Sequence, residues 1–96
     1  MKIYIAGKIT GHENYKADFK KAELDLKLKG HIVLNPADTI ARIDGLKHEE
    51  YLHICLAMVD VADAVALLPS WKDSKGAKME FLHARKNGKE IILLEE

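Results

Sequence analysis

Short apolar runs and segments of helical periodicity alternate along the chain. The apolar runs at residues 2–6, 31–34, 63–68 and 90–94 are rich in Ile, Val, Leu and Ala, which predicts strands. Apolar residues recur every three or four positions within residues 15–29, 48–61 and 76–87, which predicts helices. Residues 37–47 and 70–75 show neither pattern and are predicted to be loops, the first with at most one turn.

The element order βαβαβαβ, with short connections, predicts an α/β fold with right-handed parallel crossovers. We expect one flavodoxin-like, doubly wound parallel sheet with strand order 2-1-3-4, formed as a single domain over residues 1–96. In such sheets a ligand binds beyond the carboxyl ends of the strands where the order reverses, here between the first and third strands. The loops at residues 8–14 and 70–76 are therefore the expected binding loops.

Composition narrows the range of partners. The 15 basic and 15 acidic side chains cancel, so the chain offers no net positive field for a nucleic-acid polymer. The start of the chain lacks the pattern of a signal peptide, no apolar run could span a membrane, and a single cysteine can form no intramolecular disulfide. These features predict a cytoplasmic protein with no membrane partner. Because a 96-residue chain builds only a small core, we also expect a homodimer or a higher homo-oligomer.

The start of the third helix is the first candidate site. Ser74 is a natural N-cap, and Gly76 lets a ligand approach the free amides of the first helical turn. A helix N-terminus with free N–H groups binds anions readily. The alternative is that Ser74 only caps the helix, which is at least as common.

Glu80 lies about one turn further along the same helix, at the border of its apolar stripe. A carboxylate in that position needs a partner or a pocket. Lys75 and Lys78 are five and two residues away, so neither has the i±3 or i±4 spacing at which helical side chains face each other. Glu80 is therefore a candidate functional carboxylate, with a rim-exposed glutamate as the alternative.

The loop after the first strand is a weaker signal. It contains two glycines four positions apart, which is not the spacing of a dinucleotide-binding loop, and a plain strand–helix turn is the alternative. Its candidate binding residues are Gly7, Lys8, Ile9, Thr10 and Gly11.

Three other residues and the histidines require a decision between a structural and a functional role. Tyr4 is either core or part of a site, and its phenol needs a hydrogen-bond partner in both cases. Trp71 is either a wall of the binding pocket or a cap over the sheet edge. Cys55 lies on an apolar stripe and is interpreted as a core cysteine. The five histidines, His48 and His53 included, lack the spacing of a metal site, and we expect neither a metal nor a cofactor.

Several of these segments together resemble a known family. The resemblance is carried by residues 2–7, Ile9-Thr10-Gly11, Gly30-His31, Asn35-Pro36, Leu67-Leu68-Pro69, Trp71 and the element Ser74-x-Gly76-Ala77-x-x-Glu80. The chain resembles small uncharacterised bacterial and phage proteins that look like trimmed nucleoside 2-deoxyribosyltransferases. That superfamily also contains 2'-deoxynucleoside 5'-phosphate N-hydrolases.

The resemblance implies an N-glycosidase, acting as a hydrolase or a transferase on a nucleotide or nucleoside. By this resemblance Glu80 is the nucleophile that attacks the anomeric carbon, and Tyr4 orients it. The transferases carry an aspartate six residues before that glutamate, whereas this chain carries Ser74, as the 5'-phosphate hydrolases do. A serine beside helix amides accepts a phosphate that an aspartate would repel, so the resemblance favours a nucleoside 5'-monophosphate.

The chain departs from the family's pattern at two positions. Cys55 occupies the place of the aspartate that handles the proton of the leaving base, and Lys8 occupies a place usually filled by proline. A thiol is a poor general acid at neutral pH. The alternative to an enzyme is therefore a non-catalytic nucleotide-binding module, such as a sensor or an interaction domain.

Overall fold

The protein forms a four-stranded parallel sheet covered by helices on both faces. The structure, a computed structural model, describes residues 1–94; the last two residues of the predicted domain lie outside the described residues. The strands are β1 (Lys2–Ala6), β2 (Ile32–Leu34), β3 (Ala64–Leu67) and β4 (Glu90–Leu93), and the helices are α1 (Tyr15–Leu28), α2 (His48–Val61) and α3 (Lys75–Lys86). The sheet order is β2-β1-β3-β4, which confirms the predicted doubly wound, flavodoxin-like fold.

The two faces of the sheet bury different residues of the same strands. Ile3 and Ile5 of β1 pack with Phe19 and Leu26 of α1 on one face. Tyr4 and Ala6 of β1 point to the opposite face, where α2 and α3 cover them. All four residues of β3 are buried, as expected of a parallel strand covered on both sides. The alternation along β1 therefore directs Tyr4 towards α2 and α3, which carry the candidate site residues.

The two segments predicted as loops contain short 3-10 helices. Pro36–Asp38 and Ile40–Arg42 form two such turns, one more than the sequence predicts, and Pro69–Asp73 forms a third in the segment predicted to be plain loop. Local chemistry explains two of them, because proline fixes φ at the first helical position. Asn35 also caps the first turn, and its Oδ1 accepts a hydrogen bond from Ala37 N at 3.0 Å.

The carboxyl ends of β1 and β3 approach each other closely. Leu68 N donates a hydrogen bond to Ala6 O at 2.8 Å, just beyond the paired residues Ala6 and Leu67. A Cβ on Gly7 would come within 2.7 Å of Leu68 Cδ1, so the packing itself requires glycine at this position. The chain thus leaves both central strands at one point, from which the two predicted binding loops diverge.

Within residues 1–94, no helix combines the length and the apolarity needed to cross a membrane.

Candidate active site

A cleft of about 610 Å³ opens at the carboxyl ends of β1 and β3. One wall is the loop after β1 together with the start of α3; another is segment 40–46 and the first turns of α2. Segment 40–46 follows β2 and α3 follows β3, and these strands flank β1 on opposite sides. The cleft therefore lies at the predicted switch point, with walls that come from both neighbours of the central strand.

Glu80 lies at the base of this cleft on the second turn of α3. The residue is 5% exposed although it lines the cleft, which excludes a rim-exposed glutamate. Tyr4 Oη donates a hydrogen bond to Glu80 Oε2 at 2.6 Å. Neither Lys75 nor Lys78 forms an ion pair with it in the described part of the chain. The predicted pair of Tyr4 and Glu80 is thus brought into direct contact from positions 76 residues apart.

Burial controls the charge of this pair. Removal from water raises the pKa of Glu80 to about 7, although the hydrogen bond from Tyr4 opposes the rise. Burial, and then the nearby carboxylate, raise the pKa of Tyr4 well above its usual value, so the phenol stays neutral and donates. The raised pKa brings the titration of Glu80 into the neutral range. A carboxylate poised in this way can act as a nucleophile or as a base.

The α2 wall brings a thiol and a second phenol to the same place. Cys55 is fully buried beside Tyr4, as the sequence predicts for a core cysteine. Burial raises the pKa of Cys55 to about 11, so the thiol is protonated at neutral pH. Tyr51, one turn earlier on α2, lines the cleft. Asp60, further along α2, forms a hydrogen bond with His83 at 2.7 Å and does not line the cleft.

The start of α3 presents free donors to the cleft. Ser74 Oγ accepts a hydrogen bond from Ala77 N at 3.1 Å, so the predicted N-cap is present. The amides of Lys75 and Gly76 make no hydrogen bond within residues 1–94, and both residues line the cleft. A Cβ on Gly76 would meet only Ser74 Oγ, at 3.9 Å, so packing does not explain the glycine. Two amides and the Ser74 hydroxyl are therefore available to an anion.

The loop after β1 supplies most of the predicted contacts. Gly7, Lys8, Ile9 and Thr10 line the cleft, whereas Gly11 does not and instead forms a turn with φ +76°. Ser70 lies in the predicted binding loop at residues 70–76 but was not a candidate residue, and its Oγ accepts a hydrogen bond from Lys8 N at 3.0 Å.

Trp71 lies outside the cleft. Its ring packs against Phe81 with the ring centroids 4.9 Å apart, at the edge of the core formed with α2 and α3. Of the two interpretations of this residue, the structure favours a packing role over a pocket wall.

The cleft also has residues that the sequence did not indicate. The apolar wall formed by Ile40, Ala41, Ile43, Leu46 and Leu52 comes mostly from a segment without periodicity. Asp73 and His48 lie at its polar margin. Among residues 1–94, no three His, Cys, Asp or Glu side chains come together as a metal ion would need. The chemistry of the cleft therefore rests on one poised carboxylate, neutral phenols, backbone amides and an apolar wall.

Comparison with protein families gives one match that covers nearly the whole chain. The model of the domain of unknown function DUF4406 matches residues 1–93. The chain belongs to the DUF4406 family. Comparison with curated proteins gives no match.

Solved structures share the fold of this DUF4406 protein. A 2-desoxiribosyltransferase from Leishmania mexicana superposes with a TM-score of 0.74 at 23% identity, over 97% of this chain and 63% of that enzyme. A 2-deoxyribosyltransferase from the psychrotolerant bacterium Bacillus psychrosaccharolyticus also gives 0.74, at 24% identity, over 97% of this chain and 71% of that enzyme. The DUF4406 chain thus has the fold of these enzymes and spans about two thirds of their length.

Proposed function

We propose that this protein cleaves the N-glycosidic bond of 2'-deoxynucleoside 5'-monophosphates, with Glu80 as the nucleophile. The observation that carries the proposal is the buried Glu80 carboxylate, held by Tyr4 at 2.6 Å at the base of an open cleft. The hydrogen bond occupies Oε2 and leaves Oε1 for attack on the anomeric carbon. The shared fold of two deoxyribosyltransferases supports the same reaction class.

The two steps of the reaction follow from the chemistry of a carboxylate. Glu80 Oε1 bonds to C1' as the C1'–N bond breaks, and the electron pair of that bond leaves with the base. Water then attacks C1' of the glycosyl ester, which breaks the bond to Oε1 and releases the sugar phosphate and the Glu80 carboxylate. The proton that the attacking water loses balances the proton that the departed base takes up from solvent. A second base in place of water makes the same protein a transferase.

The start of α3 is the proposed site of the 5'-phosphate. The free amides of Lys75 and Gly76, the Ser74 hydroxyl and the nearby Lys8 are donors suited to a dianion. The apolar segment 40–46 on the other side of β1 is suited to a base. Glu80 lies at the base of the cleft that these two walls enclose, which suits a carboxylate that attacks the bond joining sugar and base.

Incubation with the four common deoxynucleoside monophosphates, followed by chromatography for free base, tests the proposal. We expect base release from at least one of them and little from the matching nucleosides, which lack the phosphate. Rapid acid quench and mass spectrometry should then find deoxyribose phosphate attached to the peptide that contains Glu80. Absence of base release from every nucleotide contradicts the enzymatic proposal.

A non-catalytic nucleotide-binding module is the second candidate, and the thiol of Cys55 is the observation that favours it. With a pKa of about 11, this thiol supplies no ready proton to a leaving base. Calorimetry that detects nucleotide binding at micromolar concentrations, without base release over hours, would select this candidate.

We also propose a homodimer, because α3 exposes apolar side chains that a second copy could bury. Met79 is 49% and Leu82 is 62% exposed, one turn apart on the same helix. Sedimentation velocity should show a dimer at micromolar concentrations; a monomer at all concentrations contradicts this proposal.

A further inference from the structure

The hydroxyl of Tyr51 is buried and has no hydrogen-bond partner. Among the described residues it is the one such side-chain oxygen or nitrogen, although Tyr51 itself lines the cleft. The Cys55 thiol is close enough to affect the pKa of Tyr51, but a thiol is a weak donor and acceptor, and it forms no hydrogen bond with this hydroxyl. Buried hydroxyls in folded proteins nearly always find a partner, because an unmet one destabilises the fold. Because Tyr51 lines the cleft, a bound ligand is the candidate partner for its hydroxyl.

The chemistry of this hydroxyl makes it a hydrogen-bond donor. Burial raises the pKa of Tyr51 far above neutrality, so the phenol keeps its proton throughout the physiological range. Tyr4 also keeps its proton, but that proton already bonds to Glu80 Oε2, whereas the proton of Tyr51 has no acceptor among residues 1–94. Tyr51 therefore has a proton to offer, and the ligand must present an acceptor atom.

The position of Tyr51 indicates which part of a nucleotide would reach it. Tyr51 and Leu52 belong to the α2 wall, together with the apolar segment 40–46 that follows β2. The proposed phosphate donors belong to α3, which follows β3 on the other side of β1. A nucleotide with its phosphate at the start of α3 and its sugar at Glu80 therefore directs its base towards Tyr51.

We propose that Tyr51 Oη donates a hydrogen bond to the base of the bound nucleotide and stabilises that base as it leaves. This proposal rests on the proposed glycosidase function. As the C1'–N bond breaks, its electron pair remains on the base, and the phenol stabilises that negative charge without transferring its proton. Water protonates the departed base. The phenol is a stronger hydrogen-bond donor than the Cys55 thiol, so Tyr51 provides the stabilisation that the thiol does not.

Tyr51→Phe tests the proposal because it removes only the hydroxyl. Base release from the best deoxynucleoside monophosphate should fall about 10- to 100-fold in kcat. Release of 4-nitrophenol from 4-nitrophenyl 2-deoxyribose 5-phosphate should fall less than about threefold, because that leaving group needs no donor. Cys55→Ala serves as the comparison on the same helix, and thermal melting should show Y51F at least as stable as the wild type, since an unmet hydroxyl is removed.

The outcomes separate this proposal from the one on which it rests. Unchanged kcat for Y51F on the nucleotide, equal losses on both substrates, or a selective loss for C55A alone would each overturn the role of Tyr51. If the wild type releases no base, the glycosidase proposal fails, and calorimetry then decides the Tyr51 contact. Y51F should bind the nucleotide about 3- to 10-fold more weakly and 2-deoxyribose 5-phosphate equally well; unchanged nucleotide binding overturns the contact.

Discussion

Two glutamates are buried in the described part of the chain, on opposite faces of the sheet, and their surroundings differ completely. Glu23 of α1 accepts a hydrogen bond from Asn35 Nδ2 at 2.9 Å and forms an ion pair with Lys27 Nζ at 2.6 Å. Glu80 of α3 accepts a hydrogen bond from the neutral phenol of Tyr4 and faces a cleft. The Lys27 and Asn35 contacts lower the pKa of Glu23, whereas burial raises that of Glu80 to about 7.

The comparison shows that burial alone does not identify a functional carboxylate. Both residues are about equally covered, at 6% and 5% exposure. Glu23 lies beneath two lysines that are more than half exposed, so its charge is compensated at the surface of the fold. The hydrogen bond from Tyr4 offsets only part of the cost of burying the Glu80 charge, and such a residue points to function.

The largest difference in activity is expected between the two variants in which each glutamate is exchanged for glutamine. Glu80→Gln should lower base release by at least about 1000-fold, because an amide cannot form the glycosyl ester. Glu23→Gln should leave kcat within about twofold, since Glu23 lies on the face of the sheet away from the cleft. Chromatographic assays of both purified variants check this, and equal loss in the two variants would show that the comparison is mistaken.

Glu23 and Glu80 should also contribute to the free energy of unfolding with opposite dependences on pH. The raised pKa of Glu80 means that the folded state holds its proton more tightly than the unfolded state. Its contribution is therefore fully present below about pH 4.5 and is lost, by about 3 kcal/mol in all, as the pH rises through about 7. Glu23, with its pKa lowered by its contacts with Lys27 and Asn35, contributes stability above its unfolded pKa and loses that contribution in acid.

Urea unfolding of the variants at pH 5 and pH 8 separates the contributions of Glu80 and Glu23 to stability. Glu80→Gln should be more stable than the wild type at pH 8, with the gain shrinking at pH 5. Glu23→Gln should be less stable than the wild type at pH 8. If the difference in free energy of unfolding between E80Q and the wild type were the same at both pH values, burial of the Glu80 charge would carry no net cost.

Removal of the phenol that holds Glu80 should have an intermediate effect. Tyr4→Phe deletes the hydrogen bond that lowers the pKa of Glu80, so the acidic limb of the pH–rate profile should move to higher pH. We expect kcat to fall about 10- to 100-fold at pH 7 and to recover partly at pH 9. Asn35→Ala, which removes a neutral donor from Glu23, is the matched control and should leave the pH–rate profile unmoved.

The smallest effect is expected on the phosphate side of the cleft. Ser74→Asp retains an N-cap but adds a negative charge beside the free amides of α3. Calorimetry should show nucleotide binding weakened about tenfold and nucleoside binding unchanged or improved. Equal binding of the nucleotide by both proteins would remove Ser74 from the proposed phosphate site.

The sequence predicted the fold well because the strands of a parallel sheet are buried on both faces and their signal is local. The predicted strand at residues 63–68 and the observed Ala64–Leu67 differ by one residue at each end. The contact between Tyr4 and Glu80 followed less directly, from a carboxylate at the edge of an apolar stripe together with a family resemblance. Both members of that pair lie on elements whose periodicity is clear.

The sequence distinguishes the two glutamates only through the spacing of their lysines. Glu23 also borders an apolar stripe, but Lys20 and Lys27 lie three residues before it and four residues after it, the spacing that Glu80 lacks. The contact of Glu23 with Asn35, twelve residues away beyond β2, could not be predicted because it depends on the tertiary fold. The apolar wall at residues 40–46 was missed because its shape comes from 3-10 turns that have no periodicity.

The bond from Lys8 N to Ser70 Oγ has a consequence for the entropy of binding. It joins two loops that are 62 positions apart in the chain, and these loops also meet where Gly7 packs against Leu68. The loop after β1 is therefore tied to the segment that leads into α3, and little backbone freedom remains to be lost when a ligand arrives. A wall ordered in advance in this way allows more of each contact with a ligand to appear as affinity.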